Sequence, residues 1–295
     1  MAPRSRRSVV PFHNLPGSIG LICLVAVLVV RPAEEGVANA QTYPADTTRV
    51  NAEPFAVVEL FTSEGCSSCP PADDLAAELA KDVREKGRPV YVLAFHVDYW
   101  DRLGWRDPFG SRVFSQRQEH YARAMKTDGL YTPQMIVNGV AGFVGSDRNK
   151  ARREVARALK RPAGVALTLK VVPTDASDTV AVQFVTAPPA AGHVLQVALV
   201  QRGLVTEVRR GENAGRSLRH ENVVREFQTI PLDGELDGGQ DGAASGTVPI
   251  TLPAGVRREQ MSVIAYVQNP TDLSIVAAAA VDLNKPEKQP LSAGK

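Results

Sequence analysis

The chain has 295 residues, enough for one large domain or two of ordinary size. Hydrophobic residues make up 44% and charged residues 22%, a composition that supports a packed core and excludes a largely disordered chain. The formal net charge of +2 lacks the basic excess of a nucleic-acid-binding protein, and 3 cysteines are too few for a disulfide-stapled scaffold or a four-thiolate zinc site.

The first forty residues have the pattern of a secretory signal peptide. An arginine-rich start precedes an apolar or small-residue run at 18–30, and Ala38-Asn39-Ala40 supplies a small-x-small cleavage site. An uncleaved anchor is the weaker alternative, because a helix over that run spans only about 20 Å of a hydrocarbon core about 30 Å thick. Cleavage of residues 1–40 predicts a periplasmic or secreted protein without a membrane span. Cys66 and Cys69 then remain, in an oxidising compartment.

Residues 54–162 predict alternating strands and helices. An apolar run at 57–61 leads into Cys66-Ser67-Ser68-Cys69, and apolar residues spaced four apart then predict a helix that ends near Gly87. The nearly continuous apolar stretch 89–97 is typical of a strand buried on both faces. The remaining predicted elements are a helix at 111–126, a strand at 134–137, its hairpin partner at 141–144 and a helix at 147–160 capped by Ser146.

Residues 165–283 predict a second domain built from strands. Short runs rich in Val, Leu and Ile are separated by turn residues and lie at 165–172, 179–186, 194–201, 223–230, 247–252 and 262–268. This spacing, with no convincing helix between the runs, is typical of a β-sandwich. A Gly/Asp-rich stretch at 233–246 is expected to be a loop, and 284–295 a flexible tail.

The two cysteines of the mature chain carry the clearest chemical signal. A strand that runs into Cys-x-x-Cys at a helix start, inside a βαβ pattern, is a thioredoxin-like redox signature. The N–H groups at the helix start favour a thiolate, so Cys66 is the predicted nucleophile and the more exposed thiol, and Cys69 is the buried resolving thiol. The dithiol carries two electrons itself, so no dissociable cofactor is expected.

Topology brings a second segment to the same place. Parallel strands joined by a right-handed crossover end at one edge of the sheet, where open α/β sheets bind ligands. Thr132-Pro133 precedes an apolar strand that is expected to start at this edge. Thioredoxin-like folds place a cis-proline there facing the dithiol, so we predict a cis Thr132–Pro133 bond that shapes the substrate-binding edge.

Several blocks of the sequence together form a family signature. They are Glu59 to Asp73, His96 to Asp101, Leu103-Gly104-Trp105, Asp107-Pro108-Phe109, Tyr131 to Met135, Val137-Asn138-Gly139 and Gly211 to Arg216. In these blocks the chain resembles a bacterial secreted-protein family catalogued as domain of unknown function 1223, over about residues 54–280. The resemblance implies a thioredoxin-like fold and a thiol–disulfide role.

Two features depart from ordinary thioredoxins. Those proteins keep a buried acid six residues before the first cysteine, where it helps the resolving thiol lose its proton. Leu60 occupies that position here, and the neighbouring Glu59 points to the opposite face of the strand. Pro70 and Pro71 also remove two N–H donors where the helix begins. The loss of these donors weakens the helix-dipole argument for a thiolate at Cys66, and Leu60 in place of the acid predicts slow resolution by Cys69.

Other polar and aromatic residues have two interpretations each. His96, Asp98 and Trp100 follow the second strand and are candidate substrate-facing residues, although a loop-fixing His96–Asp98 hydrogen bond is the favoured interpretation. Trp100 and Trp105 either line a polypeptide groove or pack the loop. A basic cluster is interpreted as a solvated strand face rather than an anion site and contains Arg209, Arg210, Arg216, Arg219, His220 and Arg225.

The sequence thus predicts an α/β protein with a thioredoxin-like domain at 54–162, a mixed sheet flanked by helices, followed by an all-β sandwich-like domain at 165–283. The predicted function is an exported thiol–disulfide oxidoreductase that uses Cys66 and Cys69 on protein or small-molecule disulfides, with a separate redox partner that recycles it. Two alternatives stay open: a non-catalytic periplasmic binding module with a structural disulfide, and a copper-handling protein with His96 as a third ligand.

Overall fold

The structure is a computed structural model that describes residues 53–172, 174–176, 178–187, 192–232, 237–238 and 243–283. The predicted signal peptide at 1–40, the tail at 284–295 and most of the loop at 233–246 lie outside these residues. Within the described part, no helix has both the length and the apolar character needed to cross a membrane.

The first half of the chain alternates strands and helices as predicted. Its elements are β1 (Ala56–Thr62), α1 (Pro70–Lys86), β2 (Val90–His96), α2 (Arg112–Met125), β3 (Gln134–Val137), β4 (Ala141–Val144) and α3 (Arg148–Ala158). β1 pairs in parallel with β2 and antiparallel with β3, and β3 pairs antiparallel with β4. The strand order in this half is therefore β2-β1-β3-β4.

Capping side chains set the starts of two helices. Ser111 accepts a hydrogen bond from the N–H of Val113 and begins α2. Asp147, whose carboxylate accepts from the N–H of Lys150, begins α3. The prediction of Ser146 as this cap was wrong, because α3 starts at Arg148 and the residue immediately before it supplies the capping oxygen.

The second half consists of strands. They are β5 (Ala166–Val172), β6 (Thr179–Ala187), β7 (Val194–Gln201), β8 (Leu204–Glu207), β9 (Ser217–His220), β10 (Val223–Pro231), β11 (Asp237–Gly238), β12 (Ala244–Thr251), β13 (Met261–Gln268) and β14 (Ile275–Asp282). All six predicted runs are strands, whereas β8, β9, β11 and β14 were not predicted. The alanine run at 277–280 in β14 lacks the β-branched residues by which strands are recognised.

Strands of both halves join one sheet of eight, in the order β14-β13-β7-β10-β2-β1-β3-β4. The junction is parallel and short, with Val223 of β10 opposite Ala94 of β2. A second sheet, β11-β12-β6-β5, shares a hydrophobic core with β7, β13 and β14, so two sheets face each other in the second half. The large sheet thus continues across the predicted boundary between 162 and 165, and all described residues belong to one compact unit.

Helices cover both faces of the large sheet. The core beneath α2 draws on both halves and includes Phe61, Phe95, Phe114, Ile264 and Tyr266. The opposite core, under α1 and α3, includes Leu60, Ala72, Leu75, Met135 and Val155. Because successive residues of a strand face opposite sides, Glu59 lies on the α2 side and Leu60 on the α1 side, as predicted.

Candidate functional site

Cys66 and Cys69 lie between the end of β1 and the start of α1, and they form a disulfide. The carbonyl oxygen of Cys69 accepts hydrogen bonds from the N–H groups of Ala72 and Asp73, at 2.8 and 3.1 Å. Cys69 therefore immediately precedes the first turn of α1. The N–H of Cys69 itself donates to the carbonyl of Cys66 at 3.2 Å. This amide, expected to support a thiolate, is therefore engaged within the loop.

A close approach of two loops explains the glycine before Cys66. A Cβ placed on Gly65 would lie 3.0 Å from the Cβ of Trp100. This distance is shorter than nearly all real Cβ contacts, so a larger residue would require the two loops to move apart by a few tenths of an ångström. Gly65 therefore allows the loop after β2 to pack directly against the loop that carries the disulfide.

Thr132 and Pro133 meet the disulfide loop at the start of β3, as the sequence predicts. The Thr132–Pro133 bond is cis. The hydroxyl of Ser68 donates to the carbonyl oxygen of Thr132 at 3.5 Å, and the indole N–H of Trp100 donates to the Thr132 hydroxyl at 2.8 Å. Three separate segments of the sequence thus converge on one edge of the sheet.

A loop from the second half covers this edge; we call residues 208–216 the capping loop. Glu212 accepts hydrogen bonds from the N–H and the hydroxyl of Ser67, at 3.0 and 2.6 Å. The buried amide of Asn213 donates to the carbonyl oxygens of Glu64 and Cys66, at 2.8 and 3.0 Å. Two backbone hydrogen bonds, from Val208 to Arg216 and from Gly215 to Val208, close the base of the loop.

The capping loop changes the expected exposure of the cysteines. Both Cys66 and Cys69 are 0% exposed. The prediction that Cys66 is the more exposed thiol was wrong, because sequence reasoning placed nothing from the second half above the disulfide. Ser67 and Ser68, between the cysteines, remain exposed. Access to the sulfur atoms therefore requires movement of the capping loop or of the disulfide loop.

Five buried titratable side chains surround the inner side of this region, and we call them the acid–histidine cluster: Glu64, Asp73, His96, Asp107 and His220. Nδ1 of His96 lies 2.8 Å from Oδ2 of Asp107, which also accepts from the N–H of Glu64. Nε2 of His220 lies 3.0 Å from Oε1 of Glu64, and the imidazole rings of His96 and His220 meet edge to face, with centroids 4.9 Å apart. The cluster joins the loop after β1, α1, the end of β2 with the loop after it, and β9.

Within the acid–histidine cluster, the pKa values of Asp73 and Asp107 move in opposite directions. Burial raises the pKa of Asp73 to about 7, while the charge of His220 and the Thr62 hydroxyl oppose this rise. For Asp107, burial also favours the neutral form, but the charge of His96 and hydrogen bonds from His96 and two backbone N–H groups outweigh it, so the pKa is lowered. In the described part of the chain, Nε2 of His96 and Nδ1 of His220 have no hydrogen-bond partner.

The structure separates the three candidate substrate-facing residues. His96 is fully buried and bonds Asp107, so its assignment as substrate-facing and its predicted pairing with Asp98 were both wrong. Asp98 instead accepts from the Ser115 hydroxyl at the start of α2. Trp100 lies partly exposed at the edge beside Thr132. Buried polar groups need partners, and the partner of His96 comes from a later loop that local sequence reasoning does not place.

The residues of the predicted basic cluster also lie in different environments. Four of its arginines are exposed on the capping loop and β9: Arg209, Arg210, Arg216 and Arg219. Arg216 donates to the side-chain oxygen of Asn213 at 2.9 Å, which ties one of them to the capping loop. Arg225 packs over the ring of Phe109 at 5.3 Å, and His220 is buried in the acid–histidine cluster. The exposed arginines therefore lie on the capping loop and on β9, the strand that follows it.

A second buried polar group lies on the α2 side of the large sheet; we call it the Glu59–Arg117 cluster. Arg117 of α2 donates to Glu59 at 2.8 Å, and Tyr266 of β13 donates to the same carboxylate at 2.8 Å. Tyr121 also donates to Glu59, and Gln268 bridges Arg117 and Tyr121. This cluster ties the two halves of the chain together, and the sequence analysis did not predict it.

The copper alternative requires side chains that are arranged to bind a metal ion. Within the residues that the structure describes, no group of three or more His, Cys, Asp or Glu side chains is arranged to hold a metal ion.

The fold and the site define an α/β protein with a Cys-x-x-Cys disulfide at one edge of a large mixed sheet. The chain belongs to the family described as protein of unknown function (DUF1223), whose model matches residues 57–268.

The solved structures that are similar to this chain include the following two. Protein AGR_C_4864 from Agrobacterium tumefaciens is 29% identical, with a TM-score of 0.55, and the match covers 79% of this chain and 96% of that one. HBP35 of Porphyromonas gingivalis is 17% identical, also with a TM-score of 0.55, over 82% of this chain and 79% of that one. No curated protein matches the chain.

Proposed function

We propose that this protein is an exported thiol–disulfide oxidoreductase whose first half has a thioredoxin-like fold. The observation that carries the proposal is the position of the Cys66–Cys69 disulfide, between β1 and α1 and beside Thr132-Pro133. The β2-β1-β3-β4 order, with α1 and α3 on one face and α2 on the other, supports the fold assignment. An oxidising compartment outside the cytoplasm is where such a disulfide persists.

In the proposed reaction, Cys66 attacks a sulfur of the substrate disulfide and Cys69 then resolves the mixed disulfide. The substrate is a disulfide in a protein or in a small molecule, and a separate redox partner or a small thiol restores the starting state. The electrons travel in the dithiol itself, so the proposal needs no dissociable cofactor. Because both cysteines are fully buried, the substrate reaches them only when the capping loop or the disulfide loop moves and the contact between Glu212 and Ser67 opens.

One observation favours a second function, a binding module with a structural disulfide. Both cysteines are fully buried beside the capping loop, and Asn213 donates hydrogen bonds to the backbone carbonyl groups on either side of Gly65. Such a closed disulfide would fix the conformation of the loop that Glu212 and Asn213 contact, without reacting. The two proposals differ in whether the disulfide turns over.

A turnover assay separates them. Purified protein is supplied with dithiothreitol and a protein disulfide substrate, and substrate reduction is compared with the Cys66→Ser and Cys69→Ser variants. We expect turnover by the wild type only. When the pre-reduced variants are mixed with the substrate disulfide after removal of dithiothreitol, we expect a trapped mixed disulfide with Cys69→Ser but not with Cys66→Ser. Rates equal to the uncatalysed reaction for all three proteins would favour the structural disulfide.

Export has its own test, because the N-terminal segment lies outside the described residues. Mass spectrometry of protein from the periplasmic fraction should show a mature start at Gln41. An intact N-terminus recovered from the membrane fraction would contradict export with cleavage.

A further inference from the structure

We infer that Asp73 exchanges the proton of Cys69 during thiol–disulfide exchange, with His220 of the second half positioned to hold the charge of that carboxylate. This inference rests on the proposed function. In it, Asp73 takes the role of the buried acid that ordinary thioredoxins keep at the position of Leu60. Asp73 lies on α1, whereas the position of Leu60 lies on β1. Through His220, the second half of the chain takes part in the chemistry of the first.

The geometry places Asp73 on the same helix face as Cys69. The N–H of Asp73 donates to the carbonyl of Cys69 at 3.1 Å, so the two residues are one helical turn apart. Residues four apart on a helix lie on one face, and helical side chains lean toward the N-terminus, so we infer that the Asp73 side chain leans back toward Cys69. Asp73 is 9% exposed and Cys69 is 0% exposed, whereas the next residue, Asp74, is exposed.

The other buried acids near the disulfide have their oxygens engaged elsewhere. Glu64 accepts from the indole N–H of Trp105 at one oxygen and meets His220 at the other. Asp107 meets His96 at one oxygen and accepts from the N–H of Phe109 at the other. Glu59 lies on the opposite face of the sheet in its own cluster. Asp73 is thus the acid placed to serve the resolving thiol.

The groups that face Asp73 come from every element around it. They are the Thr62 hydroxyl from β1, Asp107 from the loop after β2, His220 from β9 and Asp74 from α1 itself. Burial is the largest influence and raises the pKa of Asp73 to about 7. An acid whose pKa lies near the working pH is suited to take up and return a proton there. Nδ1 of His220 has no hydrogen-bond partner in the described part of the chain, so this imidazole has a free site within the cluster.

The chemical step balances without a further reactant. In the mixed disulfide of Cys66 with a substrate sulfur, the Asp73 carboxylate takes the proton of the Cys69 thiol. The Cys69 thiolate attacks Sγ of Cys66, the Cys66–Cys69 bond forms, and the bond from Cys66 to the substrate sulfur breaks. The dithiol is oxidised by two electrons, and the substrate leaves as a thiolate that takes up a proton from Asp73 or water. In reverse, Asp73 protonates Cys69 as it leaves.

A two-phase thiol reaction tests this role. Reduced protein is mixed with 5,5′-dithiobis(2-nitrobenzoic acid), and release of the coloured thiolate is followed by stopped flow from pH 5 to pH 9. The first equivalent reports attack by Cys66, and the second reports resolution by Cys69. Asp73→Asn is compared with the wild type and with the matched control Asp74→Asn, which changes a carboxylate on the exposed side of the same turn.

We expect the second phase of Asp73→Asn to be slower by roughly 100-fold at pH 7, within the usual range for general acid–base catalysis. Its pH inflection should move from near 7 toward that of a buried thiol, above the free-cysteine value of about 8.5. The first phase should change by less than about twofold. Asp74→Asn, which removes the smallest of the named influences on Asp73, should stay within about twofold of the wild type in both phases. His220→Gln provides a second variant, and loss of its charge should move the second-phase inflection to higher pH.

The possible outcomes distinguish a failure of the role assigned to Asp73 from a failure of the oxidoreductase proposal. Equal second-phase rates and pH profiles for Asp73→Asn and the wild type would overturn the role of Asp73 while leaving the oxidoreductase proposal intact. A wild-type protein that releases no second equivalent would overturn the proposed function, and this inference with it. A slow first phase in Asp73→Asn, matched by an equal slowing of the second, would identify a general structural effect and overturn the specific assignment.

Discussion

The Glu59–Arg117 cluster and the acid–histidine cluster are both buried, but they satisfy their charges in different ways. Around Glu59, a guanidinium and two phenols converge on the single carboxylate. Beneath the disulfide, three carboxylates share space with two imidazoles, and two ring nitrogens lack partners among the described residues. A saturated network holds a fold in place, whereas an unsaturated one retains groups that can exchange protons. The following predictions test this contrast.

The largest expected effect comes from breaking the saturated cluster. Arg117→Met leaves the buried carboxylate of Glu59 without its guanidinium, and we expect a loss of about 3–5 kcal/mol in the free energy of unfolding. Denaturant titration followed by circular dichroism measures it. Lys81→Met removes a cation from an exposed pair on α1 and should cost less than about 0.5 kcal/mol. Similar losses for both variants would contradict a structural role for the buried cluster.

The next effect is a pH dependence of stability from Asp73. Its pKa rises from 3.8 in the unfolded chain to about 7 in the fold, so the folded state holds the proton more tightly. The stability contribution is present below pH 4 and is lost as the pH rises through about 7, by up to about 4 kcal/mol. Wild type and Asp73→Asn should therefore have similar stability at pH 4, and the variant should be the more stable at pH 8.

The comparison is made by denaturant unfolding at each pH, with Asp74→Asn as the control that should follow the wild type. The lowered pKa of Asp107 works in the opposite sense and destabilises the fold at acid pH in all three proteins. The difference between wild type and Asp73→Asn removes that shared contribution. Parallel stability curves for these two proteins would show that burial does not hold the proton on Asp73.

A smaller effect is expected at the capping loop. Asn213→Ala removes one buried amide that serves two carbonyl groups, at a cost of about 1–3 kcal/mol. The disulfide should also become more accessible, so its reduction by a phosphine should accelerate several-fold. Asn269→Ala changes a loop amide outside the site and should leave the reduction rate unchanged. Unaltered reduction in Asn213→Ala would mean that the capping loop does not control access.

The smallest effect is expected at the exposed end of the same loop. Glu212→Gln weakens the contact with Ser67, and reduction of the disulfide should accelerate by roughly twofold. The effect should fade at high salt, because exposed charges are screened. Glu207→Gln on β8 is the matched control for the loss of one exposed carboxylate. Equal rates for the two variants and the wild type would confine the capping role to Asn213.

The sequence predicted most of the first half because its signals are local. Apolar runs and caps placed β1 to β4 and the helices within a few residues, and the Thr132-Pro133 step could be assigned to the disulfide edge by topology alone. What the sequence could not place were contacts between distant segments. Asn213 and His220 lie about 150 residues after the disulfide in the chain, and the pairing of β10 with β2 helps bring their region next to it. The block Gly211 to Arg216 was visible as a signature, but nothing local indicated what it covers.

The reduction potential of the Cys66–Cys69 couple tests the oxidoreductase proposal most directly. The protein is equilibrated in redox buffers of known potential, and the thiol content is quantified by alkylation and mass spectrometry, with the Cys66→Ser variant as the blank. A redox-active centre predicts a reversible two-electron transition between about −120 and −270 mV, the span from strongly oxidising to strongly reducing thioredoxin-like proteins. A disulfide that stays oxidised below about −300 mV would instead be structural and would contradict the account.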